Sequence, residues 1–248
     1  MILVLSGEGP TDIGTRKPKE TGWAFEPGPM AWIVDKLLNR LDRLDYSILE
    51  GHANGYDYVR FLSERDLGDL RYSRPRFFPH AQNTFESQFF RASAYQLGKH
   101  AQAVAVERND SVIAVFFRDS DGTNSAPKTM WQAKFESILA GFRLADFPSA
   151  VPMVPRPKSE AWMLCGLLKR QNAGADCHWL EDAPGNDASP NCLKSQLATH
   201  LGTAPSAEQQ AEMVRSGQID PALIDLPSFR AFREELDRAY ANAAPPLN

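Results

Sequence analysis

Ile2-Leu3-Val4-Leu5-Ser6-Gly7-Glu8-Gly9-Pro10-Thr11-Asp12 decides the fold. Its opening is a continuous apolar run stopped by glycine, the pattern of a strand buried on both faces, as strands of a parallel sheet are. Acidic residues follow at once. The same arrangement recurs in Ser111 to Phe117, where Val112, Ile113, Val115, Phe116 and Phe117 make the strongest strand signal in the chain. That run ends at Arg118-Asp119-Ser120-Asp121-Gly122. Two buried strands, each closed by carboxylates, predict an α/β fold with a mostly parallel sheet flanked by helices. In such sheets the carboxyl ends of the strands line the ligand crevice.

Between these strands the pattern is helical. Ile33, Leu37, Leu38, Leu41 and Leu44 recur at helical spacing in a segment starting near Met30. Thr15 to Pro29, with its prolines and no period, reads as a loop, and Tyr46 to Leu49 reads as a second strand. Asn83, with Glu86 three residues on, opens a long helix through Glu107 whose core face carries Phe85, Phe89, Leu97 and Val104. A helix over Thr129 to Phe142, a strand over Val151 to Val154 and a helix from Ser159 complete the α/β part. Past Lys169 a polar loop leads to three short helical patterns, the last over Ser228 to Tyr240. The expected division is an α/β domain over 1–170 and a helical extension packed on it over 171–248.

Composition narrows the class. With 43% hydrophobic, 23% charged and 10% aromatic residues, the chain has the make-up of an ordinary globular protein rather than a disordered or fibrous one. The apolar start is too short for a signal peptide or a membrane span, so a cytoplasmic protein with no membrane partner is expected. Cys165, Cys177 and Cys192 form no Cys-x-x-Cys, so reduced thiols are expected rather than a disulfide framework or a zinc ribbon. A net charge of −4 argues against coating nucleic acid by electrostatics alone. It leaves a nuclease open, because carboxylates awaiting metal inflate the negative count and the ion reverses the local sign.

Glu8, Asp12, Asp119 and Asp121 are therefore the candidate site. Four carboxylates at one rim repel one another unless cations occupy it, and hard oxygen ligands suit Mg²⁺ or Mn²⁺ rather than zinc. Nucleotide-loop readings fail. Gly7-Glu8-Gly9 lacks the third glycine of a dinucleotide fingerprint, and no Gly-Lys-Ser/Thr follows. The spacing of Cys177-His178 with Cys192 or His200 matches no familiar zinc pattern. Arg71, Arg74 and Arg76, mixed with Tyr72, Phe77 and Phe78, suit a groove that tracks a nucleic-acid strand, or an arginine-laced loop with its aromatics packed inward. Plain alternatives also stand: Glu8 beside glycine suits a solvated turn, and Lys158 a solvated lysine. Asp-Ser-Asp-Gly suits an Asx turn, and Glu160 suits the start of a helix, where the dipole favours it by about 0.3–1 kcal/mol.

Glu8 together with Asp119-Ser120-Asp121 resembles the TOPRIM fold, the Rossmann-like metal-binding domain of topoisomerases, primases and several nucleases. Its hallmark is a glutamate after the first strand and an Asp-x-Asp after a later one. Asp12, in Glu-x-x-x-Asp, is similar to the extra carboxylate of the overcoming-lysogenisation-defect nucleases, which supports a second metal. Gly7-Glu8-Gly9-Pro10-Thr11-Asp12, Asp119-Ser120-Asp121 and Pro157-Lys158-Ser159-Glu160-Ala161-Trp162 together resemble the bacterial family called domain of unknown function 4276, with a weaker echo in Pro227-Ser228-Phe229. By that resemblance Glu160 joins the metal ligands, and Lys158 meets the phosphate or the developing charge. The resemblance implies a Mg²⁺-dependent nuclease acting on DNA or RNA, with an ATPase partner and a role in defence against mobile DNA. Two other readings stay open: a non-catalytic interaction subunit with an acidic rim, and a phosphotransfer enzyme acting on a small nucleotide.

Overall fold

The computed structural model describes residues 1–19, 22–40, 45–70, 72–73, 85–120 and 128–243. Four strands, β1 (Ile2–Gly7), β4 (Val59–Leu62), β5 (Val112–Phe117) and β6 (Ala150–Met153), form one parallel sheet in the order β4-β1-β5-β6. A separate antiparallel hairpin, β2 (Gly14–Lys19) and β3 (Gly22–Pro27), stands between β1 and the first helix. The helices are α1 (Pro29–Arg40), α2 (Ile48–Ala53), α3 (Glu64–Asp69), α4 (Phe85–Arg108), α5 (Lys128–Ala145), α6 (Ser159–Gln171), α7 (Leu193–Leu201), α8 (Ala207–Arg215) and α9 (Pro227–Ala243).

Strand alternation sorts the core into two layers. Leu3, Leu5, Ile113, Val115, Phe117, Val151 and Met153 point to one face, where α1, α2, α6 and the helices from α7 onward cover them. Ile2, Val4, Val112, Ala114 and Phe116 point to the other, under α3, α4 and α5. Both faces are buried, which is why β1 and β5 read as unbroken apolar runs. Trp162 of α6 is fully buried, edge-on to Phe229 at 4.9 Å and stacked on Phe232 at 5.4 Å, and its indole N–H donates to Ser228 Oγ at 2.8 Å. The helices beyond 170 thus share one hydrophobic core with the sheet.

From β1 the chain crosses to β4 over the first face, then returns past β1 to β5 and on to β6 over the second. Reversing both direction and face keeps one hand for all three crossovers. The strand order reverses between β1 and β5. Their following loops leave toward opposite faces, which makes this the switch point of the sheet, the place where open α/β sheets bind ligands.

Three expectations are corrected. The segment read as a loop from Thr15 to Pro29 holds all but the first residue of the β2-β3 hairpin and ends on the first residue of α1. Tyr46 to Leu49 is not a strand: Ser47 caps α2, accepting from the Glu50 N–H at 3.1 Å, and the second strand of the sheet is β4. The buried Asp35 carboxylate settles this locally, since it accepts from Ile48 N at 2.7 Å and Leu49 N at 3.2 Å, satisfying helix N–H groups that a strand would have paired elsewhere. Cys165 and Cys177 are disulfide-bonded, because the chain leaving α6 turns back against it; Cys192 is a buried free thiol. No helix among the described residues is long and apolar enough to cross a membrane.

Candidate functional site

At the end of β1 a side chain is excluded. A Cβ at Gly7 would stand 2.8 Å from the Phe117 carbonyl oxygen, so β1 and β5 close on each other just before their acids. Glu8 is extended, and Gly9, at φ 75°, turns the chain into one five-residue π-helical turn, Gly9–Ile13, that carries Asp12. Gly28 braces this turn from behind: its N–H donates to Ile13 O at 3.1 Å, and a Cβ there would lie 2.2 Å from Asp12 O.

Glu8 reaches across to the end of β5. Its Oε1 accepts the backbone N–H of Asp119 at 2.9 Å, and its Oε2 accepts Arg118 Nη1 at 2.6 Å. Arg118 is buried, also pairs with Glu64, and lies over the Phe90 ring at 5.0 Å. It neutralises Glu8 in place. Lys134 fixes the adjoining loop by donating to Ser120 O at 2.9 Å, and the Ser120 N–H donates to Pro157 O at 3.1 Å.

Ser159, the first residue of α6, joins the two loops. Its N–H donates to Asp119 Oδ1 at 3.0 Å, and its hydroxyl donates to Asp12 Oδ1. Burial pushes the Asp12 carboxyl above its ordinary range, against the hydrogen bonds from Ser159 and Thr11 and the positive charges of Lys194 and Lys158. Next to it Glu160 is buried, and its Oε2 has no hydrogen-bond partner. Burial first, and the Asp12 charge after it, raise the Glu160 carboxyl too. An anionic pair held this way in low dielectric calls for a proton or a cation.

Lys158 does not point freely at the acids. Its Nζ pairs with Asp187 Oδ1 at 2.8 Å, and Lys194 pairs with Asp187 Oδ2 at 3.1 Å. Those hydrogen bonds hold Asp187 below the usual carboxylate range. The segment after 170 therefore supplies Asp187 and Lys194, an ion-paired wall against which Lys158 rests. Nothing matches this chain among family models, curated proteins or solved structures.

Glu8, Asp12, Asp119 and Glu160 are thus gathered at one end of the sheet, with Lys158 at its edge. Asp121, and the substrate-binding candidates Arg71, Arg74 and Arg76, lie outside the described residues. Of the arginine-rich segment, Tyr72 exchanges two hydrogen bonds with the Gln96 side chain of α4, each at 3.2 Å. Among the described residues no three Asp, Glu, His or Cys side chains stand close enough together to hold an ion. The donor chemistry nevertheless suits Mg²⁺ or Mn²⁺: every candidate ligand is a carboxylate, and Glu160 Oε2 is a buried acceptor without a donor.

Sequence reasoning missed Arg118, Asp187 and Lys194. Arg118 had a signal, standing directly before Asp119 at the end of a buried strand. Asp187 and Lys194 had none, because only tertiary packing brings them to Lys158.

Proposed function

We propose that the chain is a Mg²⁺-dependent nuclease with a TOPRIM-like site, cleaving nucleic-acid phosphodiesters. One observation carries the reading: Ser159 binds Asp119 and Asp12 at once, which assembles acids from β1, β5 and α6 where the strand order reverses. Glu8, Asp12, Asp119 and Glu160 would hold the ions, with Asp121 added by resemblance. When bound, Mg²⁺ supplies an activated water and stabilises charge on the leaving oxygen.

The chain's own residues then have separate tasks. Ser159 orients two ligands, and Arg118 fixes Glu8 at the β5 end. Lys158 offers a positive charge to a phosphate that displaces it from Asp187. The ATPase partner and the defence role rest on resemblance to the TOPRIM-containing families alone.

The test is incubation with single-stranded and duplex DNA and RNA in Mg²⁺, Mn²⁺ or EDTA, with Asp119→Asn alongside. Scission that needs the metal and is lost in the variant is expected. A parent that cuts none of the four substrates with either ion overturns the reading. That outcome favours a non-catalytic interaction subunit, a second reading supported by the ion pairs already made by Glu8 to Arg118 and by Lys158 to Asp187.

A further inference from the structure

Beside the acids lies a cleft of about 780 Å³, floored by Gly7 and Gly9 and walled by the hairpin on one side and the Phe61 to Arg65 segment on the other. The hairpin register places Arg16 opposite Phe25 and Pro18 opposite Trp23, so all four side chains share one face. On that face Phe25 stacks on Phe61 at 4.9 Å, and the Arg16 guanidinium lies 5.9 Å from the centre of the Phe61 ring. Trp23 extends the same aromatic row past its end. It is 72% exposed, although tryptophan is highly buried on average and an indole contributes through the area it buries.

We propose that this cleft receives an unpaired nucleobase, stacked on Trp23, so that the substrate is a single strand or a strand with one base turned out. The inference rests on the nuclease reading and narrows it. Three features select a base rather than a phosphate or a peptide. Arg16 is paired with Asp66 at 3.1 Å, Arg65 also lies within electrostatic reach of Asp66, and Glu64 is held by Arg118, so the two cations and two carboxylates of the lining leave the cleft walls close to neutral and suited to an uncharged ring. The floor is glycine backbone on both sides of Glu8, so a base lying there brings its own phosphate to the carboxylates. The other exposed large hydrophobics among the described residues, Tyr56, Val106, Trp179 and Leu223, do not line the cleft, so Trp23 is not part of the contiguous apolar patch a docked protein would need. In a duplex the bases are stacked on one another and present no free face, so pairing should exclude the substrate from this cleft.

The experiment measures affinity in Ca²⁺ buffer for a short pyrimidine single strand and for the same sequence as a blunt duplex, in the parent, Trp23→Ala and Trp23→Phe. Cleavage in Mg²⁺ and thermal melting are recorded in parallel. Single-strand binding should weaken about 5- to 100-fold in Trp23→Ala, the loss expected for one stacked base, and recover in part in Trp23→Phe. Duplex binding and melting should change little. If Trp23→Ala binds the single strand as the parent does and still cuts, the base site is overturned and the indole is left to a protein contact, while the nuclease reading stands. If Trp23-dependent binding is seen without metal-dependent cleavage, the nuclease reading falls and the base site remains. A parent that binds neither probe overturns the base site, and the nuclease reading falls with it if none of the four substrates is cut.

Discussion

The backbone N–H of Ser159 donates to Asp119 Oδ1 at 3.0 Å, across 40 residues of sequence. Ser159 opens α6, so Asp119 takes up an N–H group that a helix start leaves without an intrahelical partner, at the end where the helix dipole favours negative charge. Its hydroxyl does the same for Asp12. One residue therefore converts two loops from different strands into one site, and stability and function are tied together there.

Asp119 can be tested with that bond in mind. Asp119→Asn keeps an oxygen for Ser159 while removing the charge, so cleavage should be lost with little change in melting. Asp119→Ala leaves the N–H of Ser159, itself 1% exposed, unsatisfied and should cost about 1–3 kcal/mol. Equal destabilisation in both variants would make the charge of Asp119 structural.

Glu160 should report cation binding without any activity assay. Its buried, partnerless Oε2 and the neighbouring Asp12 charge make the ionised form costly in the metal-free protein. Glu160→Gln should then melt higher than the parent in EDTA. In Mg²⁺ the order should reverse, because a ligand at a hundred times its Kd stabilises by about 2.7 kcal/mol only where it binds. A parent whose melting ignores Mg²⁺ and Mn²⁺ alike would remove the metal assignment.

Asp35 gives a pH signature away from the site. Burial raises its carboxyl above the ordinary 3.8, against hydrogen bonds from Ser47, Leu49 and Ile48. The folded state thus holds the proton more tightly than the unfolded one. Between 3.8 and the raised folded value, stability from this group rises as pH falls and is lost as pH rises. Asp35→Asn should flatten that slope, while Asp35→Ala should cost about 1–3 kcal/mol by stranding the Ile48 and Leu49 N–H groups. Denaturant midpoints across acidic pH are the measurement, and an unchanged slope in Asp35→Asn would assign the dependence to another group.

How far the sequence speaks depends on where each element finds its partner. β1 and β5 were legible because burial on both faces leaves only apolar residues, whatever the neighbours. The hairpin was not: Thr15-Arg16-Lys17-Pro18 has no alternation, since much of both its faces meets solvent, and only Gly14, whose Cβ would lie 2.4 Å from Glu26 O, fixes its start. Tyr46 to Leu49 looked like a strand until Asp35, a dozen residues earlier, supplied the helix start. Glu8, Asp12 and Asp119 could be read as acids that follow strands. Their coupling through Ser159, and the Asp187 bridge between Lys158 and Lys194, exist only once α6 and α7 are docked. The Cys165–Cys177 bond likewise depends on the chain doubling back under α6, which spacing alone does not indicate.

Arg118 tests whether a cation belongs beside Glu8. Its guanidinium spans Glu8 and Glu64 and rests on Phe90 and Phe116, so it is the fixed positive charge at that end of the site. Arg118→Met keeps much of the packing and removes the charge. Breaking a fully buried pair costs about 3–5 kcal/mol, but Glu8 and Glu64 are 37% and 50% exposed and stay partly hydrated. The loss in EDTA should therefore be smaller, about 1–3 kcal/mol by the same comparison. If Glu8 is a metal ligand, Mg²⁺ replaces the missing charge, and the melting temperatures of parent and variant should converge as the ion is added. Arg118→Lys should fall between them, because an ammonium group cannot reproduce the guanidinium's planar fork to two carboxylates. A gap between parent and Arg118→Met that Mg²⁺ leaves unchanged would mean that Arg118 is Glu8's permanent partner, and would take Glu8 out of the ligand set.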